Sequence, residues 1–284
     1  MQSSFPSDFV KVGSTFQENT EMLFNNTCNV FASDRSILLN IISPNDDREL
    51  IVGDKLKTKE PLAIVTREND HGFSDTINWV LHALFYGEEQ GLRKNSSICQ
   101  KYTNLTLDVL ELNFMNAVYC VGNYEEVFAG DNSNRGMNQI NNGTGMLYAT
   151  PFGDLKYGED DLRGVDAVGA SSFLDDIRKK RSLNCGVVVP DGFSGEIRES
   201  DKLVGMNVDY CRTIAAALFY GDINLVKLTS FLNNDNNSFA ALQNRTIDVL
   251  VGGRVEKKYD FVSSLSLGGF HFSSPYYLGN GTSR

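Results

Sequence analysis

Leu183-Asn-Cys-Gly-Val-Val-Val-Pro190 is the stretch on which the reading of the fold turns. From Cys185 onward it is a short apolar run closed by a proline. A run of this kind reads as a strand buried on both faces, as in the middle of a parallel sheet. Asp191-Gly-Phe-Ser-Gly195 follows as a loop, and a helix is predicted from about Asn207 to Tyr220, carrying Ala215, Ala216 and Ala217. Val226 to Leu228 then reads as a strand, Phe239 to Gln243 as a short helix, and Ile247 to Val251 as a further strand. Strand, helix and strand at this spacing predict parallel βαβ units.

Outward from that centre, the alternation of strand-like and helix-like segments continues and favours an α/β architecture. Ser74 to Glu89 is the clearest helix, with a stop at Gly91 and a cap near Ser74. Its residues Ile77, Val80, Leu81, Leu84 and Phe85 follow the i, i+3, i+4, i+7, i+8 stripe of a core-facing helix. A second helix is predicted from Ser172 to Lys180, with Asp175 and Asp176 early and Arg178, Lys179 and Lys180 late. That distribution complements the helix dipole. Residues 130–145 are rich in Gly and Asn and read as a loop. Residues 153–170, rich in Gly and acidic groups, read as a solvated linker.

The whole chain has 284 residues, enough for one large domain or two lobes. Its 41% hydrophobic residues can bury a real core, which excludes a disordered tail. A formal charge of −10 and the lack of a Lys/Arg-rich run argue against nucleic acid and anionic membranes as partners. No stretch reaches the roughly 18–20 continuous apolar residues of a membrane-spanning helix, so membrane insertion is not expected.

Seven Asn-x-Ser/Thr sequons stand at Asn25, Asn95, Asn104, Asn142, Asn236, Asn244 and Asn280. Chance would place about four, so the excess points to a secreted glycoprotein. Met1-Gln-Ser-Ser-Phe-Pro6 lacks the layout of a secretory signal, so residue 1 is not expected to be a natural start. The five cysteines, Cys28, Cys99, Cys120, Cys185 and Cys211, are widely spaced with no C-x-x-C pair, which argues against zinc and iron–sulfur sites. The odd count leaves at least one thiol either buried and free or paired outside the chain.

Catalytic patterns are missing. None of the three histidines, His71, His82 and His271, has ligand spacing, and His82 falls on the predicted helix as a structural residue. Gly192-Phe-Ser194-Gly195 has the wrong spacing for a nucleophile elbow. Asp131-Asn-Ser133-Asn-Arg135-Gly136 starts like a calcium loop but has Arg at its fifth position and Asn142 where a bidentate Glu belongs. No enzyme, cofactor or metal is expected.

The central run, taken with its neighbours, resembles a known family. The matching stretches are Leu183-Asn-Cys-Gly-Val187, Gly192-Phe-Ser194, Leu203 to Phe219, Phe239-Ala-Ala-Leu-Gln243, Ile247-Asp-Val-Leu250 and Phe272-Ser-Ser-Pro-Tyr-Tyr277. Together they resemble the amino-terminal part of the general amino-acid-binding proteins of bacterial transporters (family 3), which have the type II periplasmic-binding-protein fold. Earlier segments resemble the later part of the same family. They are Cys28 to Ser36, Lys59-Glu-Pro-Leu62, Trp79 through Leu92, Val121 to Phe128, Gly136 and Leu147-Tyr-Ala-Thr-Pro151. What comes last in the family comes first here, so the resemblance implies a circular permutant or a unit cut from a tandem array.

The implied fold is α/β, a parallel or mixed sheet flanked by helices, in two lobes of which the second is incomplete. The family's chain starts in lobe 1, crosses to lobe 2 and returns. On that basis residues 1–67 form part of lobe 2, 68–152 the later part of lobe 1, 153–170 a linker, and 171–284 the first part of lobe 1. The first part of lobe 2 has no counterpart after Tyr277, and with it goes the family's cysteine that would pair with Cys28. Three readings stay open: a neighbouring copy or another chain supplies the missing strands, residues 1–15 replace them, or lobe 2 has shrunk.

Amino-acid capture needs a cation for the carboxylate and an anion for the ammonium. By the resemblance Asp34 is the acidic residue that holds the ammonium and Phe193 the pocket aromatic. The family's Arg falls at Tyr259, and the nearby cations Arg254 and Lys258 stand at other positions. Loss of one charged partner costs about 2–5 kcal/mol, a large share of micromolar binding. The expectation is therefore a secreted, non-catalytic glycoprotein that uses a degenerate solute-binding fold as a structural or assembly module, its partners being copies of itself. The alternative is a working receptor for a free amino acid or small anion.

Overall fold

The computed structural model describes residues 10, 11, 13, 15–34, 38, 41, 50–52, 56–68, 70–100, 114–128, 135, 138–140, 147, 148, 172–189, 194–197, 202–232, 237–254 and 269–282. The linker predicted at 153–170 lies outside these residues. The chain divides into two compact units, one of Met1–Glu60 with Gly279–Arg284 and one of Pro61–Leu278. The backbone therefore passes between them twice, at Glu60/Pro61 and at Leu278/Gly279.

The larger unit is built on β3 (Leu183–Val189), which occupies the sheet interior predicted for it. Parallel to it on one side runs β6 (Val226–Leu232) and on the other β7 (Val249–Arg254). β2 (Leu56–Arg67) pairs antiparallel with β7 through Leu62–Val65. Its other edge takes β8 (Phe270–Phe272), also antiparallel, at Val65–Arg67. The order is thus β8-β2-β7-β3-β6, mixed because β2 alone runs against the rest. This bears out the α/β reading and the parallel βαβ units.

Alternation along the strands supplies two cores. Cys185, Val187, Val249 and Val251 join one cluster with helix α6 (Met206–Leu218), while Val188, Leu250 and Val65 join another with Leu242 of α7 (Asn237–Gln243). Both faces of the sheet are therefore covered, and the central strands read as unbroken apolar runs for that reason. Gly186 is needed at such a buried position, because a Cβ there would meet Phe231 at 2.9 Å and Leu250 at 3.2 Å.

On the α6 side lie α2 (His71–Glu89), α3 (Phe114–Cys120) and α4 (Tyr124–Phe128), with α5 (Ser172–Lys180) against α2. The predicted stripe of α2 is fully buried, from Ile77 to Phe85, each large side chain contributing about 1.5–3 kcal/mol. The helix begins earlier than predicted. Asp70 is its cap, accepting from the Phe73 N–H at 3.1 Å, whereas Ser74 sits in the first turn and donates its hydroxyl to the Asp70 carbonyl at 2.9 Å. An aspartate four residues ahead satisfies the free N–H groups better than a serine already inside the helix.

Other boundaries shift in the same modest way. Ser194 and Gly195, read as loop, open β4 (Ser194–Ile197), which forms a hairpin with β5 (Lys202–Gly205). Gly205, at φ 116°, then turns the chain into α6, a backbone conformation that glycine adopts without strain. Cys185 is bonded to Cys211, tying β3 to α6, and Cys99 to Cys120. Cys28 is the odd thiol, half-buried and free.

In the smaller unit α1 (Phe16–Phe24) is capped by Thr15, whose hydroxyl accepts from the Glu18 N–H at 3.1 Å. β1 (Ser33–Asp34) pairs antiparallel with Gly281 and Thr282 of β9 (Tyr277–Thr282).

Candidate ligand-binding site

In open α/β sheets the ligand-facing groups come from the carboxyl ends of the parallel strands. In the larger unit those ends are Val189 of β3 and Arg254 of β7. β7 reaches its end through Gly252, at φ 92°, and Gly253. A Cβ on Gly253 would collide with the Val65 side chain of β2. The register between the two strands shifts at Ala63/Ile64, and Arg254 comes to lie opposite Leu62. Gly253 thus lets the β7 backbone lie close against β2 at the Val65 side chain.

Of the four residues expected at the site, two have a backbone position. Asp34 lies on β1 in the smaller unit, with Gly281 as its strand partner. Arg254 closes β7 in the larger. Phe193 and Tyr259 lie outside the described residues. So do the sequons at Asn104, Asn142 and Asn236, whereas Asn25, Asn95 and Asn244 are exposed.

The buried charges of the larger unit serve the scaffold. Asp248, just before β7, accepts the Asn184 N–H at 2.8 Å and lies 3.4 Å from Lys180 Nζ, fixing β7 against β3. Arg67, at the end of β2, donates through Nη1 to the carbonyls of Leu242 (2.9 Å) and Ile247 (3.2 Å) and stacks over Phe173. Burial, then the nearby Arg245, lowers its pKa from the ordinary value. Both residues stand at the amino ends of the parallel strands, away from the carboxyl ends where a ligand would sit.

Arg135, which breaks the calcium pattern, has a structural role that the sequence reading missed. Its guanidinium grips Glu88 with two bonds of 2.8 and 2.7 Å and lies over the Tyr124 ring. That hydrogen bonding raises the Arg135 pKa. Asn138 then meets the edge of β9, accepting the Leu278 N–H at 2.6 Å. His82 is buried, its Nε2 3.2 Å from the Ser274 hydroxyl, in keeping with a structural residue. Among the described residues no cluster of three potential metal ligands occurs, and no helix is long and apolar enough to cross a membrane.

With that geometry in place, comparison with known proteins narrows the field. The chain matches no protein-family model. Over 159 residues it is 30% identical to the "Putative amino-acid ABC transporter-binding protein YhdW" of Escherichia coli K12, an alignment covering 47% of this chain and 46% of that protein. Over 91 residues it is 40% identical to the general L-amino acid-binding periplasmic protein AapJ of Rhizobium johnstonii, covering 30% of this chain and 26% of AapJ. Part of this chain is similar to amino-acid-binding proteins. The chain spans about half the length of the curated relatives it matches. Both relatives are named as binding proteins rather than enzymes.

Proposed function

We propose that this chain is an exported solute-binding protein that captures a free amino acid or small anion. The partial identity to YhdW and AapJ carries the reading, and it favours a working receptor over the structural module that the site's missing arginine suggested. Two further observations support it. The backbone passes twice between two compact units, as the chain of a two-lobed receptor does. Two disulfides among the five cysteines fit an oxidising compartment outside the cytosol.

In this proposal Asp34 holds the ammonium, Phe193 forms an apolar wall, and Arg254 takes the carboxylate in place of the family arginine that Tyr259 has replaced. The order of elements supports permutation. β2, antiparallel to β7, runs across the boundary at Glu60/Pro61 and precedes β3, β6 and β7 in the chain. In the family the return from lobe 2 comes after those strands. Glycosylation of exposed Asn25, Asn95 and Asn244 belongs to the same exported reading. Enzymatic removal of N-glycans from protein secreted by eukaryotic cells should lower its mass, and an unchanged mass contradicts it.

The direct test is a thermal-shift panel against the common amino acids. Stabilisation by at least one of them at sub-millimolar concentration is expected. No shift with any of them would return the structural reading to first place. That second reading rests on Tyr259 at the family's arginine position, and it requires native material to form assemblies under the electron microscope.

A further inference from the structure

The interior of the larger unit contains polar groups that the fold does not satisfy. Asn116 of α3 is 0% exposed, and neither its side-chain nitrogen nor its oxygen has a hydrogen-bond partner in the protein. Tyr210 of α6 is likewise 0% exposed, with an unpartnered hydroxyl. Its neighbours make the contrast plain. Tyr276 donates to Asn207 Oδ1 at 2.8 Å, Tyr124 donates to the Tyr276 carbonyl at 2.7 Å, and the Thr213 hydroxyl donates to the Tyr210 carbonyl at 2.7 Å. A buried amide with both ends unmade carries the full cost of its desolvation, which native interiors avoid almost everywhere.

Both helices are tethered by disulfides. Cys120 ties α3 to Cys99, and Cys211 ties α6 to β3. The Tyr210 ring also packs against Tyr276, tilted by 42° with centroids 4.4 Å apart. Helices α2, α3 and α4 all pack on α6. We propose that the interior between α6 and these helices is an internal hydration site, in which buried water bonds the Asn116 side-chain amide and the Tyr210 hydroxyl. Water suits these groups because the three unmet positions include both donor and acceptor character, and water supplies both kinds of bond.

Two measurements on the full chain decide it. A high-resolution crystal structure should show ordered water at about 2.7–3.2 Å from Asn116 Nδ2 or Oδ1 and from Tyr210 Oη. Dry apolar packing around both groups, or an Asn116 amide turned onto protein carbonyls and N–H groups, would overturn the proposal. Tyr210→Phe keeps the ring stacking and removes only the hydroxyl, so it is expected to fold. With water bonded to the hydroxyl, the variant should melt about 2 °C or more below the wild type. An unchanged or higher melting temperature means that the hydroxyl had nothing to lose, and the site fails.

Discussion

At the scale of single residues, the buried pair Arg135–Glu88 is the sharpest case. The two side chains are 10% and 14% exposed, so removing one partner strands a charge in the interior. Glu88→Ala should therefore cost about 3–5 kcal/mol in denaturant unfolding. A loss below about 1 kcal/mol would place the pair among surface bridges of little worth. His82 gives a second prediction, in pH. Burial disfavours the imidazolium and lowers the His82 pKa below its ordinary value, an effect that a backbone contact at Tyr148 only partly offsets. The unfolded chain then binds the proton more readily, so this contribution to stability is intact above about pH 6.5 and is lost as pH falls below it. Unfolding midpoints at pH 7.5 and 5.5 should differ less in His82→Gln than in the wild type; an equal difference would remove His82 as the cause.

At the scale of elements, the disulfide between β3 and α6 spans 26 residues of sequence. Replacing Cys185 and Cys211 together with serine should cost about 3 kcal/mol, measurable by urea unfolding. Full stability in the double variant would contradict that. The paired elements themselves were legible in the sequence, because Val187 and Val188 belong to opposite cores and leave an unbroken apolar run. The α2 stripe was legible through its helical period. β2 was not: Lys57, Lys59 and Glu60 hide a strand whose apolar part, Leu62 to Val65, is buried against neighbours on both edges. The β4–β5 hairpin was missed because Ser194 and Gly195 carry turn chemistry. α1 had a readable signal in Thr15-x-x-Glu18. The pairing of cysteines was out of reach, since spacing does not fix connectivity. Of the site, resemblance pointed to Asp34, Phe193 and Tyr259, with Arg254 only a nearby cation, and of these only Asp34 and Arg254 acquire a place on strands.

At the scale of the molecule, the backbone joins two compact units twice. The larger has two cores, a mixed sheet and two disulfides. The acidic balance of −10 does not prevent capture of a zwitterion, because a matched anion and cation decide it locally. Isothermal titration calorimetry of the full chain against each common amino acid is the most direct test of this account. It predicts saturable heat with a sub-millimolar dissociation constant for at least one amino acid, lost in Asp34→Asn. Absence of binding to all of them, or undiminished binding by Asp34→Asn, would contradict the assignment of the chain, or of Asp34, to amino-acid capture.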